Sequence, residues 1–464
     1  MSKAASSPSA DRSVAPGPKG HPLFGMLPEF RGDRLSFLVR TARAYGPVAR
    51  FRIRNRSVFL VTDHAGIKQV LQDNADNYGR KTRSVDALKE TLGNGLLTTT
   101  GPSWWRNRRL AQPSFHKQRL AGFAGIMAAS STDFVDRLLR AGAAGASFDI
   151  VPELSSVTLS ILGRCLFERD LTDEADAVGG ALRVVLHHTI DKLATLFPLP
   201  GVVPTPKNLR FRAALRALDR VVMSLIAERR RDSADRGDLL SMLLAARDED
   251  TGEGLSDQQL RDEVMTLLLA GHETTAMALS WTFYLLSLHP GARRTLEKEV
   301  DAAPVSTTGN AGGAEDLHRL RYTRMVLDEA LRLYPPAWVV TRSADGPDEI
   351  GGFAIPAGSR VLVSPYVTQH DPALWDDPEG FDPERFSPEA QAAAAGRPRY
   401  AYFPFGGGPH LCIGAGFATM EATIVLATVV RRLRLDLEPG RPVAIEPLVT
   451  LRPKPGIWMT ARPR

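Results

Sequence analysis

Between Val48 and Asp63 the chain reads VARFRIRNRSVFLVTD, with apolar and polar residues alternating about Asn55. A period of two with a turn signal at its centre predicts a β-hairpin, and hence a small sheet near the N-terminus. Beyond it, apolar residues recur at helical spacing. The clearest helix is expected from about Ser256 to His289: Ser256 can cap it, acids occupy its first turns, and Pro290 ends it. Its middle, VMTLLLAGHETTAMALSWTFYLL, is apolar nearly all round, which predicts a helix buried on every side. About 33 residues would span roughly 50 Å. An ordinary core helix does not require Gly, His, Glu and two Thr at its centre. Residues Ile350–Pro365 (IGGFAIPAGSRVLVSP) read as a second patch of sheet, while Ala302–Glu315 and Glu389–Arg397 are low in complexity and read as surface loops.

Composition sets the limits. With 464 residues, 43% apolar and 24% charged, the chain can bury a large core and enclose a prosthetic group. Residues 1–20 are polar and read as a disordered tail, and residues 21–464 as one catalytic domain. The net charge of +6 is spread widely. Its densest runs are Arg106, Arg108 and Arg109, then Arg229 to Arg231; the second run carries no interleaved aromatics, so no nucleic-acid partner is expected. Two cysteines, Cys165 and Cys412, cannot build a disulfide framework, which points to a reducing compartment. The opening residues contain neither an apolar signal region nor an anchor, so a cytoplasmic protein without a membrane anchor is expected.

The segment Phe405–Gly414, FGGGPHLCIG, carries the chemistry. Three glycines ahead of a cysteine let the backbone pass close to something flat and bulky. Gly414 precedes a strong helical pattern, so the sulfur should sit near a helix N-terminus, where partial positive charge stabilises a thiolate. Other candidates are weaker. His187 and His188 lie side by side on a helix without an acid or cysteine at ligand spacing, and Cys165, His116 and His289 read as ordinary packing residues.

FGGGPHLCIG resembles the haem-binding loop of the cytochrome P-450 family, which commonly carries Arg where this chain has His410. The resemblance implies Cys412 as the metal ligand, with Phe405, His410 and Gly414 beside haem b. Three further motifs follow the family's order. Glu329-Ala-Leu-Arg332, in isolation, reads as an exposed helical ion pair worth about 0.3–0.5 kcal/mol. It resembles the family's Glu-x-x-Arg, with Arg385 in FDPERF as third partner, and implies a structural role in holding the loop that presents Cys412. AGHETT, Ala270–Thr275, is similar to the family's oxygen-binding groove, implying that Thr274 holds oxygen or water and Glu273 assists proton delivery. WWRNRRLAQPSF implies Trp104 and Arg108 at a haem propionate, with Trp105 and Arg109 at the same internal spacing; Arg342 matches another propionate-binding arginine.

The resemblance extends over nearly the whole chain, to C-terminal strands around Val449–Met459. It implies a mainly α fold with a small β portion: a triangular helical prism around a buried haem, with a long central helix. It also implies a haem-thiolate monooxygenase inserting one oxygen atom from dioxygen into an apolar small molecule, by hydroxylation or epoxidation. Family position points to Leu96 and Leu97 (within Leu92–Thr99), Ala270, Val339 and Val340 as pocket residues, and to Leu193–Pro204 as an access lid. No flavin or iron–sulfur sequence follows Cys412, so electrons from NAD(P)H are expected through a separate ferredoxin and its reductase or a flavoprotein. A monomer is expected. PAWVVTRSADGPDEIGGFAIPAGSRV is similar to bacterial members that oxidise terpenoids or related natural products. A fatty-acid hydroxylase is the alternative, with Arg52, Arg54 or Lys81 to hold a carboxylate. A haem-based binding or sensor protein without turnover is the reading from a different class; it needs the thiolate but not Glu273 and Thr274.

Overall fold

The computed structural model describes residues 14–142, 145–195, 200–231, 238–247, 252–303, 317–394 and 396–464. Helix makes up 60% of it, against roughly a third in an average domain, so the fold is mainly α with minor sheet. The chain divides into two compact, interleaved units. One holds the residues up to Thr82, Val339–Trp375 and Pro398–Leu411; the other holds Arg83–Trp338, Asp376–Arg397 and Cys412–Arg464.

The smaller unit is built on a sheet. Helix α1 (Arg34–Tyr45) is capped by Asp33, whose side chain accepts from Ser36 N at 3.0 Å. The expected hairpin forms as β1 (Val48–Ile53) and β2 (Arg56–Val61), with Val48 opposite Val61 and Ile53 opposite Arg56. Arg54 takes the positive φ of the tight turn, 58°, so Asn55 does not carry that strain. Two further strands, β3 (Val340–Ala344) and β4 (Arg360–Val363), complete the order β1-β2-β4-β3, with Tyr78–Gly79 at the edge. The Ile350–Pro365 region is divided: Phe353–Ile355 pairs with Asp348–Ile350 as a separate two-stranded sheet, and the rest joins the first one. Its strand β4 lies parallel to β2, from Val58 opposite Arg360 to Val61 opposite Val363. A parallel pair needs a long crossover, here about 300 residues of chain, and no local pattern discloses that. Val48, Phe59, Val61, Val361 and Val363 form the core on one face. The tail expected over residues 1–20 falls largely outside the described residues; Ala15 is described, and is buried in this same core.

The larger unit is helical: α2 (Arg83–Leu92), α3 (Pro102–Ala111), α4 (Lys117–Gly142), α5 (Ile150–Phe167), α6 (Ala175–Ala194), α7 (Pro206–Arg231), α8 (Asp257–Leu288), α9 (Pro290–Ala302), α10 (Arg321–Leu333) and α11 (Ala415–Arg432). Helix α8 is the predicted long helix. Ser256 and Gln259 form a reciprocal capping box at its start, and Pro290, rather than only ending it, opens α9. Most of its residues are buried on all sides, against Leu154, Leu159 and Ile161 of α5 and Val425 and Leu426 of α11 among others. Helix α5 is long and apolar enough to cross a membrane by composition, but 72% of it is buried in this core. Three C-terminal strands, β5 (Leu433–Leu437), β6 (Ala444–Pro447) and β7 (Leu451–Lys454), precede β8 (Trp458–Pro463); β6 pairs with β7, and β8 with β5. Of the two low-complexity segments, 304–316 lies outside the described residues. The other is not all loop: Pro388–Ala393 is a short helix capped by Ser387, whose hydroxyl accepts from Ala390 N at 3.1 Å.

Candidate functional site

Cys412 is the first residue of its stretch of the larger unit. Gly414 N–H points to its sulfur, and Gly414 caps the 18-residue helix α11. Cys412 is an exposed residue, yet burial pushes its thiol up; the Gly414 N–H and the Arg108 guanidinium oppose that shift. Arg108 answers in kind: burial lowers its affinity for a proton and the sulfur raises it. On α3 Trp104 is buried and stacks edge-on to Trp105, with ring centres 4.7 Å apart, whereas Trp105 is 49% exposed. Arg109 also faces outward. The Trp104/Arg108 register is thus the inward one.

Two of the three glycines ahead of the cysteine are required by neighbouring protein groups, while Gly406 has open space beside it. A Cβ at Gly408 would lie 1.8 Å from Leu71 O, and φ there is +63°; one at Gly407 would strike the Tyr400 ring at 2.4 Å. Phe405 and His410 are partly buried on the same loop. In this smaller unit Arg342 is buried, donates to Thr341 O at 3.1 Å, and is pushed down to about 10 by burial. Arg80 is pushed down to about 9 by burial and by the neighbouring charge of Arg342. Two buried guanidinium groups side by side form a seat for an anion. Sequence reasoning missed Arg80, because YGRKT has no spacing that marks it. Val339 and Val340 are half-buried.

On α8, Ala270 is exposed and Gly271 and Thr274 are partly exposed, within an otherwise buried stretch. Thr274 Oγ1 donates to Ala270 O at 2.7 Å. Gly271 is required by packing: a Cβ would meet Leu162 of α5 at 2.4 Å. Glu273 is buried and engaged. It pairs with Arg452 of β7 and accepts from Thr450 Oγ1 at 3.0 Å. Neither partner carries a signal in the sequence, since both lie on the C-terminal chain about 180 residues away. Nearby, Glu421 of α11 is fully buried and its carboxyl is pushed well up by burial. Among the described residues neither of its oxygens has a hydrogen-bond partner, and the neighbouring Thr275 donates to Gly271 O at 3.1 Å.

The Glu329–Arg332 pair is no surface pair. Both side chains are 0% exposed, and two bonds of 2.7 Å join them. Arg385 lies 3.4 Å from Glu329 and completes the triad. The bonds made by the triad reach Asp377 O, Pro378 O, Gly380 O and Asp382 N, so what it holds directly is the 377–382 segment. His188 stacks on Phe211 at 4.1 Å and Cys165 is buried, as expected of packing residues. Among the described residues no group of His, Cys, Asp and Glu could hold a metal ion. Leu193–Pro204 falls partly outside the described residues, at 196–199.

The chain matches the cytochrome P-450 family over residues 15–459 and belongs to it. Its relatives include a Streptomyces melanosporofaciens protein named cyclooctatin synthase, 38% identical over 97% of this chain and 94% of the relative. Another protein of that organism, named cyclooctat-9-en-7-ol 5-monooxygenase, is 34% identical over 94% and 93%. Pentalenene oxygenase of Streptomyces avermitilis is 36% identical over 87% and 88%. The protein is a cytochrome P-450 monooxygenase, a family that works with haem, dioxygen and electrons from a redox partner.

Each unit taken by itself carries groups that fit haem: in the larger a thiol at a helix N-terminus with a cation beside it, in the smaller paired buried guanidinium groups suited to carboxylates. Replacing Glu329 by Gln strands Arg332 without its countercharge in the core and should cost about 3–5 kcal/mol. Urea unfolding of the purified protein measures this; an unchanged midpoint contradicts the structural role.

Proposed function

We propose that this protein inserts one oxygen atom from dioxygen into an apolar terpenoid, by hydroxylation or epoxidation, with haem b held by Cys412. The observation that carries the reading is the sulfur of Cys412 at the N-terminus of α11, facing the Gly414 N–H and Arg108. Bound haem supplies the chemistry that takes up dioxygen and transfers one of its atoms to carbon. The protein's own groups do the rest. Trp104 and Arg108 in the larger unit, and Arg342 with Arg80 in the smaller, offer donors to the propionates, with His410, Phe405 and Gly414 shaping the loop around the ring. Cys412 would hold the haem as a thiolate, a ligand suited to oxygen transfer rather than to reversible oxygen carriage.

Thr274 holds a hydroxyl at an exposed turn of α8, where it can hand a proton onward. Its own proton rests on Ala270 O, so it acts by exchanging that bond for one to the reacting oxygen. Glu273, fixed by Arg452 and Thr450, is the residue that renews the proton, in a general acid–base role. Delivery then requires the Arg452 pair to loosen. Leu96, Leu97, Ala270, Val339 and Val340 present apolar surface to the substrate. The terpenoid class rests on the names of the relatives, which point to pentalenene and cyclooctat-9-en-7-ol as their substrates, and on the apolar lining. Arg52, offered as a carboxylate holder for a fatty acid, already donates to Pro22 O at 2.5 Å and His21 O at 3.2 Å. Electrons reach the site from NAD(P)H through a ferredoxin or flavoprotein.

Incubation with a ferredoxin, its reductase, NADPH and isotopically labelled dioxygen should convert a cyclic terpene such as pentalenene to a product bearing one labelled oxygen. Unlabelled product, or turnover of fatty acids alone, contradicts the proposal. Thr274→Ala should keep consuming NADPH while product per NADPH falls about tenfold or more, the scale of one lost proton-transfer group. Equal product yield per NADPH would remove Thr274 from the proton path.

A further inference from the structure

Two successive acids near the start of α8, Asp262 and Glu263, are 2% and 1% exposed and were absorbed by none of the motifs above. Both grip the loop between α2 and α3. Asn94 N donates to Asp262 Oδ2 at 2.7 Å, and Leu96 N donates to Glu263 Oε2 at 3.0 Å, so alternate backbone amides meet successive carboxylates. The loop lies so close to α8 that only glycine fits at its contact points. A Cβ at Gly93, whose φ is +62°, would fall 2.1 Å from the Asp262 carboxyl; one at Gly95 would fall 2.2 Å from Thr266 Oγ1 and 2.5 Å from Asp262 O. Within the loop, Thr98 N and Thr99 N donate to Gly95 O at 3.0 and 2.9 Å and close it into a compact turn. The second oxygen of Glu263 takes Asn107 Nδ2 at 2.5 Å. Asn107 stands on α3 beside Arg108, so one carboxylate joins α8, α3 and the loop. The residue after the clamped Leu96 amide is Leu97, an apolar side chain left 43% exposed.

We infer that Asp262 and Glu263 are positioning residues for substrate selection: they clamp the Gly93–Thr99 loop and so set how large a molecule Leu96 and Leu97 admit. This rests on the reading above that these two leucines line the substrate pocket. The two acids are not equivalent. Asp262 has Arg261 at 3.1 Å, itself paired with Asp219, and Gln258 donates to it at 2.8 Å. Among the described residues Glu263 has only neutral donors within bonding distance, with Arg106 of α3 farther off. Burial pushes its carboxyl up to about 7; the Leu96 and Asn107 bonds pull it down, Asp262 raises it, and Arg106 lowers it. Ionised Glu263 accepts from both Leu96 and Asn107. Protonation places hydrogen on one oxygen and removes an acceptor, so the clamp is closed above about pH 7 and loosened below it. A loop held in place in advance lowers the ordering cost of binding a bulky ligand, while a small ligand gains nothing from it.

Two isocyanides that do not titrate between pH 6 and 8 separate these effects on the haem-loaded protein: ethyl isocyanide as the small probe and 1-adamantyl isocyanide as the bulky one. Optical titration of the wild type should show the adamantyl Kd weakening about tenfold as pH falls through 7, the scale of one charge-assisted hydrogen bond, with the ethyl Kd flat. Glu263→Gln should give the weakened adamantyl Kd at every pH and abolish the step. Asp262→Asn should weaken binding yet keep the step. Hydrogen exchange on the wild type alone supplies a second readout: protection of the Leu96 amide should drop below pH 7 relative to its intrinsic rate. A pH step retained in Glu263→Gln, or Leu96 protection indifferent to pH, overturns the clamp. If neither isocyanide perturbs the spectrum, the haem reading itself has failed instead.

Discussion

A sulfur anion held away from bulk water is the constraint on which this structure turns. Burial alone would keep the Cys412 thiol protonated, and three features work against that: the N-terminus of α11, the Gly414 N–H, and the Arg108 guanidinium. A metal cation completes the set when haem is bound. The helix that follows the cysteine is therefore part of the chemistry, and its burial through Val425, Leu426 and Val429 in the core fixes where the sulfur stands.

The same problem, a charge placed out of water, recurs through both units and is solved by different means. Glu329 is enclosed by Arg332, Arg385 and the Asp382 amide. Glu273 is held by Arg452 and Thr450. Glu263 leans on neutral amides and remains poised near neutrality. Glu421 stays neutral in the core. Arg80 and Arg342 stand together as like charges, a costly arrangement that an anionic ligand would relieve. Satisfied pairs hold the scaffold; the group poised near neutrality and the like-charged pair are where binding and proton movement are to be sought.

The legible part of the sequence was what depends on neighbours along the chain. The hairpin about Asn55, the Ser256 cap, the apolar centre of α8 and the FGGGPHLCIG loop all express short-range rules, and each forms. Partners distant in sequence were not legible. Arg452 reaches Glu273 across 179 positions, β4 joins β2 through a crossover of about 300 residues, and Asn94 meets Asp262 across 168. The three glycines ahead of Cys412 divide for the same reason: Tyr400 and Leu71 fill the space beside Gly407 and Gly408, which no local pattern discloses, whereas Gly406 has open space beside it. The ion pair at Glu329 looked exposed, because helical spacing says which side chains share a face and not what covers it.

The central claim concerns one bond, from the Cys412 sulfur to haem iron. The most direct measurement is the optical spectrum of the reduced, carbonyl-bound holoprotein beside that of Cys412→Ser. The account predicts the strongly red-shifted Soret band of a thiolate-ligated haem in the wild type, and its complete loss in the variant. A wild-type band at the unshifted position of nitrogen-ligated haem, or a variant that keeps the red-shifted band, would contradict it.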